Sequence, residues 1–194
     1  VGVRIRSLVV PGKQYWDERI LKIITLAKMY GTDVKVMEYG MELTKGEMKF
    51  TCLGPDGNPD DKSHNVTAGN ESSMILHLEY GEFDMLFTGY VEKEGEERLT
   101  EILGVIQEEK GITWEILKTA HHGSKNSTTE TFLQTVHPQY AWISAGRKNR
   151  YGHPHDQTLK RLEKSGAKIY STQNNGAVAV TVRKKTMWIH GGNS

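Results

Sequence analysis

The chain has 194 residues, with 25 Lys and Arg against 24 Asp and Glu and a formal net charge of +1 at pH 7. That length suits one compact domain around one core, and the even charge excludes a protein that coats a polyanion with an all-basic surface, so any nucleic-acid contact has to be local. No run approaches the ~20 apolar residues of a membrane span, no signal-peptide order opens the chain, and the one cysteine, Cys52, reads as a small core residue unable to form an internal disulfide.

A strand-like stretch over residues 3–10 comes almost at once after Val1, which suggests a piece of something longer. After Pro11-Gly12, residues 16–30 place Ile20, Ile23, Ile24, Ala27 and Tyr30 on one helical face, with Gly31 as the stop. Strand patterns follow at 34–37, 48–53, 74–80 and 83–88, the last two joined as a hairpin at Gly81-Glu82. The Gly-, Pro-, Asp- and Asn-rich residues 54–70 read as a surface loop. The second half alternates: helix 96–110, strand 114–120, helix 128–136, strand 140–145, helix 156–164, strand 167–172, and a closing hairpin of 176–183 and 186–190 that turns at Lys184-Lys185. This order predicts a single layered α/β domain over residues 1–194, a sheet flanked by helices.

Three segments carry chemistry. In Leu117-Lys-Thr-Ala-His-His-Gly-Ser-Lys-Asn-Ser-Thr128 an apolar strand ends in two histidines and turns through glycine toward a helix. A strand end fixes an imidazole while the loop beyond it leaves a coordination position open, which suits a metal ligand; ordinary loop histidines are the alternative. Ser127-Thr-Thr-Glu130 matches a capping box, so free N–H groups and the positive end of a helix dipole are expected beside His121 and His122, where an anion could sit. Arg147-Lys-Asn-Arg-Tyr-Gly-His-Pro-His155 gathers three cations and two histidines between a strand and a helix. It reads as a phosphate-facing loop or a solvated basic turn, with His153 as metal-shell residue or proton donor and Asp156 capping the next helix. Phe87-Thr-Gly-Tyr90 ends a strand where an acid would bridge metals, and Tyr90 offers a phenol instead. His64, His77, His137 and His190 stand alone and take no role, and the acidic run 92–101 reads as the exposed face and first turn of a helix.

Together Asn70-Glu-Ser-Ser-Met-Ile-Leu-His-Leu-Glu-Tyr-Gly81, Leu86-Phe-Thr-Gly-Tyr-Val-Glu-Lys-Glu-Gly-Glu-Glu-Arg-Leu99, the His-His-Gly-Ser segment and Ser144-Ala-Gly-Arg-Lys-Asn-Arg-Tyr-Gly-His-Pro-His155 resemble the ComEC-like branch of the metallo-β-lactamase superfamily. The resemblance runs in order over nearly the whole chain. It implies an αββα sandwich whose amino-terminal part is missing, and a divalent metal, Zn or Mn, at one sheet edge of the complete domain. It also implies phosphodiester hydrolysis by metal-hydroxide attack in DNA uptake. Two departures bear on that. The superfamily's early His-x-(His or Asp)-x-Asp-His motif is absent from the chain and is expected just before Val1, and the usual Thr-Gly-Asp is Thr-Gly-Tyr, so Tyr90 stands at an altered metal position.

By this resemblance His121 is the metal ligand. His122 and His153 position phosphate or pass protons, and Ser124, Ser127, Arg150 and His155 are the phosphate-binding candidates. The fragment alone is expected to bind metal weakly, if at all, and to hydrolyse little. The implied partners are DNA or another phosphodiester and a membrane-embedded portion of the same full-length protein, which would put the chain on the extracytoplasmic face of a bacterial membrane. The alternatives are a degenerate nucleic-acid-binding module that grips phosphates through Arg147, Lys148 and Arg150, and a free-standing hydrolase of small substrates.

Overall fold

The computed structural model describes residues 3–55, 70–184 and 186–192. Most of the expected surface loop at 54–70, His64 with it, and Lys185 of the expected turn lie outside those residues.

The chain opens with β1 (Ser7–Val10), α1 (Glu18–Met29) and β2 (Asp33–Val36), a βαβ unit in which β1 and β2 pair in parallel as a sheet of two strands. α1 starts where the Asp17 carboxylate accepts from the amides of Arg19 and Ile20, at 3.0 and 2.9 Å, so the helix begins two residues later than its apolar periodicity suggests. The central sheet has seven strands in sequential order: β3 (Glu42–Lys45), β4 (Met48–Gly54), β5 (Ile75–Tyr80), β6 (Phe83–Phe87), β7 (Ile116–Lys118), β8 (Tyr140–Ile143) and β9 (Lys168–Ser171). From β3 to β6 neighbours run antiparallel, and from β6 to β9 parallel. The parallel half is built by the crossover helices α2 (Lys93–Lys110), α3 (Glu130–Val136) and α4 (Asp156–Lys164). A one-turn helix, α5 (Thr172–Asn175), leads into the antiparallel hairpin of β10 (Ala177–Arg183) and β11 (Thr186–Gly192). The domain is thus mixed α/β with a mixed central sheet. No described helix is long and apolar enough to cross a membrane.

Strand alternation sends side chains to two different layers. Leu86, Leu117, Ala141 and Ile143 meet Leu99 and Leu103 of α2, Phe132, Leu133 and Val136 of α3 and Leu162 of α4, forming the main core. On the opposite face Phe83, Met85 and Ile116 lie under Val180, Val182, Met187 and Ile189 of the hairpin. Helices, sheet and hairpin therefore stack as three layers, and the parallel strands are covered on both faces, as they have to be.

Besides the start of α1, β3, α2 and α4 differ from the sequence reading. β3 reads as loop because all four of its residues are exposed; pairing with β4 and the Lys49 ammonium shared by Glu42 (3.3 Å) and Glu79 (2.7 Å) hold it in the sheet. α2 starts at Lys93 rather than 96, and Glu92 and Glu96, read as part of a solvated face, are buried. α4 is capped at His155 without a side-chain bond, so Asp156 is its first residue and not its cap.

Candidate functional site

Every motif singled out in the sequence falls at the carboxyl ends of the parallel strands, where open α/β sheets place their ligand crevices. β6 runs out into Gly89-Tyr90, β7 into the His121-His122 turn, β8 into Ser144 and the 147–155 loop, and β9 into Gln173. There Tyr90, His121, His122, Asn149, Tyr151 and His153 line a crevice of about 470 Å³.

The turn that carries the two imidazoles is held in an unfavourable conformation. His121 and His122 both have positive φ, 43° and 56°, in a 3-10 turn over Ala120–Gly123. A non-glycine residue there costs about 1–2 kcal/mol, which persists only where the surroundings over-determine it. Those surroundings are visible. The His121 amide donates to the Gly89 carbonyl at 3.0 Å, and the His155 amide to that of Gly123 at 3.0 Å. Gly123 is left-handed at φ +82°, and a Cβ on it would sit 2.7 Å from the Pro154 Cβ. Gly89, at φ +57°, approaches Ser73 as closely.

Hydrogen bonds fix the tautomers. The carboxylate of Glu92 accepts from His121 Nδ1 at 2.8 Å and from the Ser124 hydroxyl at 2.8 Å, so in the neutral imidazole the lone pair is on Nε2. In proteins that hold a metal through histidine, a carboxylate behind the imidazole raises the ligand's basicity. His122 Nδ1 donates to the Ser144 carbonyl, which can only accept, so its lone pair also lies on Nε2; there it meets the Tyr90 hydroxyl at 2.5 Å. His153 is held through its backbone: its amide donates to Asn149 Oδ1 (2.9 Å), while its carbonyl accepts from Asn149 Nδ2 (2.6 Å) and Gln173 Nε2 (2.9 Å). Burial, then the charges of His155, His121 and His122, push the His153 imidazole below its usual range, with Glu92 pulling the other way.

The structure gathers His121, His122, His153 and Tyr90: ring centroids lie 5.3 Å apart for His121 and His153, 6.4 Å for His122 and His153, and 4.7 Å for Tyr90 and His121. It does not gather the expected phosphate ligands. Ser124 and Ser127 are buried, the first spent on Glu92 and the second donating to the carbonyls of Ala120 and Ser124. His155 Nδ1 accepts from the Lys125 amide at 3.1 Å and so ties two loops together. Arg150 lies exposed, bonded to the Tyr151 hydroxyl at 2.6 Å and stacked over that ring. Nor is the start of α3 open to an anion. Thr129, not Ser127, is its cap, and the Glu96 carboxylate takes the amides of Thr128 and Thr129, the latter at 2.8 Å. The anion expected there is a side chain of the protein itself.

Glu92 and Glu96 are the buried neighbours of the crevice that sequence reasoning missed. Glu96 falls on the stripe of Leu99 and Leu103, three and seven residues on, which marks it as inward-facing. Glu92 carries no such signal. His77, given no role, is a buried structural residue: its Nε2 lies 2.6 Å from Asp84 Oδ1 and its ring meets Trp114 edge-on.

The resident metal of the superfamily does not fit the described residues. No three His, Cys, Asp or Glu side chains among them converge as a ligand set, and one of the two strand-end imidazoles is engaged by a phenol.

No protein-family model matches the chain. Over 175 residues it is 34% identical to ComE operon protein 3 of Bacillus subtilis, an alignment that takes in 90% of this chain and 21% of that protein. It is 34% identical over 119 residues to Recombination protein 2 of Haemophilus influenzae, covering 60% of this chain and 14% of that one. It is 33% identical over 109 residues to Competence protein ComA of Neisseria gonorrhoeae, covering 56% and 15%. The chain therefore spans between 14% and 21% of the length of these curated relatives. Among solved structures, the metallo-β-lactamase fold protein YhfI of Bacillus subtilis aligns with a TM-score of 0.48 at 13% identity, over 94% of this chain and 65% of that one.

Proposed function

Since the chain belongs to the ComEC-like branch of metallo-β-lactamase-fold proteins, we propose that it handles the phosphodiester backbone of DNA during uptake, as one domain of a longer, membrane-associated bacterial protein that presents it on the extracytoplasmic face. The observation that carries this reading is the crevice at the strand ends. Imidazoles of His121 and His153 and the amide of Asn149 meet there, beside a loop that carries the exposed cations Arg147, Lys148 and Arg150. A near-neutral chain that carries three exposed cations on one loop beside the crevice suits local contact with a polyanion.

The test is binding of a fluorescent single-stranded oligonucleotide across a salt series. Each lost phosphate contact lowers the logarithmic salt slope by about 0.7 on a single strand, so replacing Arg147, Lys148 and Arg150 together by Ala is expected to lower it by roughly 2. Salt-independent binding, or a slope the triple variant leaves unchanged, sinks the reading.

We assign no hydrolytic step to the residues of this chain. Titrated with Zn or Mn, it is expected to turn over a phosphodiester little or not at all. A second reading is favoured by the Glu92–His121 bond. In it the longer protein is a metal-dependent phosphodiesterase in which His121 holds a divalent ion and the remaining ligands come from outside the described residues. Robust turnover by the chain itself would overturn the first reading in favour of the second.

A further inference from the structure

The 147–155 loop is braced more firmly than a solvated turn needs. The Asn149 side chain donates to the carbonyls of Gly146 (2.8 Å) and His153 (2.6 Å) and accepts from the His153 amide (2.9 Å). From beyond the end of β9, Gln173 Nε2 donates to the same two carbonyls, at 2.8 and 2.9 Å, and the Gln173 carbonyl accepts from Arg147 Nε at 3.1 Å. None of these bonds involves Tyr151. Its ring lines the crevice yet stays 62% exposed, and its hydroxyl accepts from the adjacent Arg150 at 2.6 Å, a local bond that braces nothing. A lone exposed ring is ordinary, but this one belongs to a column. The Arg150 guanidinium carbon lies 4.8 Å from the Tyr151 centroid, and the imidazole of the buried His153 stacks on the other side of the sequence step, 25° from parallel at 5.8 Å. Cation, phenol and imidazole thus lead from the exposed loop into the crevice, and packing accounts for the last of the three only.

We propose that Tyr151 is a base-stacking residue, whose ring receives one unpaired base of a nucleic acid while Arg147, Lys148 and Arg150 hold the neighbouring phosphates. The proposal rests on the reading of this crevice as a site that handles phosphodiester backbone, and it adds the contact made to a base. Every base has a π-face, so an exposed aromatic ring beside cations binds a strand whatever its sequence. The Arg150 guanidinium serves twice, as a partner of the ring and as a charge for phosphate. Because Asn149 and Gln173 fix the loop before any ligand arrives, little ordering cost falls on binding. A base inside a duplex is already stacked on both sides, so the ring can reach only a single strand, a loop or an end. A crevice of about 470 Å³ has room for one splayed base. Stacking neutralises no phosphate, so it strengthens binding without adding to the salt dependence that the three cations set.

The experiment compares the native chain, Tyr151→Ala and Tyr151→Phe for binding of a short fluorescent single strand, the matching duplex, and an abasic strand of the same length, each across a salt series. Thermal melts check that the variants fold, as expected for an exposed ring. Tyr151→Ala is expected to weaken single-strand binding by about 5- to 150-fold with an unchanged salt slope, and Tyr151→Phe, which keeps the ring, to stay close to native. On the abasic strand all three proteins are expected to bind alike. A single strand carrying 2-aminopurine is expected to be quenched by the native chain and not by Tyr151→Ala. Unchanged affinity in Tyr151→Ala, a loss as large on the abasic strand, or native binding to the duplex as tight as to the single strand overturns the proposal. Should any of these accompany the lower slope of the triple-alanine variant, the stacking residue falls and the phosphodiester reading stands. Salt-independent binding that still depends on Tyr151 removes the phosphate contacts alone, and no binding to any strand removes both.

Discussion

At the scale of single residues, Glu92 links the helix layer to the crevice. Its buried carboxylate serves two donors from one turn, His121 Nδ1 and the Ser124 hydroxyl, each at 2.8 Å. Glu92→Ala leaves both facing a void, and losing the acceptor of a buried polar group costs about 1–3 kcal/mol. Urea denaturation is expected to show a loss of that size, with Glu92→Gln recovering part of it because the amide oxygen still accepts. An unchanged midpoint in the alanine variant would mean that the pair is not formed in solution. The histidine of this pair is legible in the sequence, because a strand-like run ending in His-His-Gly announces fixed imidazoles at a sheet edge. Its partner lies 29 residues upstream in an acidic run whose composition resembles any solvated helix start. Contacts between elements that distant in sequence leave no periodic trace, so the orientation of the ring is a tertiary fact.

At the scale of elements, the 120–129 loop is clamped from both sides. Glu96 of α2 takes the amides of Thr128 and Thr129, and Arg161 of α4 donates to the carbonyls of Thr128 and Ser127 at 2.8 Å each. Gly123→Ala tests the tightness of this arrangement. It adds a Cβ 2.7 Å from Pro154 at a left-handed position, and strain plus overpacking predict about 2–4 kcal/mol of lost stability in thermal melts. A variant as stable as the native chain would show that the 147–155 loop yields easily. Burial pushes the Glu96 carboxyl up, against the amides of Thr129 and Thr128 and the charge of Arg161. A raised folded-state pKa means that folding favours the protonated acid. Its contribution is therefore full below the ordinary value of 4.5 and is lost as pH rises through the folded-state value. Glu96→Gln cannot ionise, so its deficit relative to the native chain is expected to be larger near pH 4.5 than at neutral pH, and a constant deficit counts against this reading. Apart from β3 and the one-turn α5, element order was legible because apolar spacing reports burial. β3 was not, since an edge strand with every residue exposed has no apolar face to betray it. The anion site expected at the start of α3 failed for a related reason: spacing predicts free amides but not the carboxylate that a neighbouring helix inserts into them.

At the scale of the molecule, stability is divided unevenly between the seven-stranded sheet and the opening βαβ unit. The sheet is covered by helices on one face and the hairpin on the other, and Leu86, Leu103, Leu117 and Leu162 are wholly enclosed. α1, by contrast, buries only Ile24, and leaves Ile23 51% and Leu26 44% exposed beside Ile5 and Tyr30. Its amphipathic pattern is plain in the sequence, yet the face so predicted has little of the described chain to pack against, because β1 and β2 make a sheet of two strands that stands apart from the other seven. Two variants separate these parts. Leu103→Ala opens a cavity between α2 and the sheet and is expected to cost about 2–5 kcal/mol. Ile23→Lys with Leu26→Lys places charges on a surface that already meets water, and is expected to change the unfolding free energy by no more than about 0.5 kcal/mol per site. Because neither position lines the crevice, oligonucleotide binding should also be unchanged. A large loss of stability in the double-lysine variant would show that the face of α1 is covered in solution, and sedimentation of the native chain would then report whether a second copy covers it.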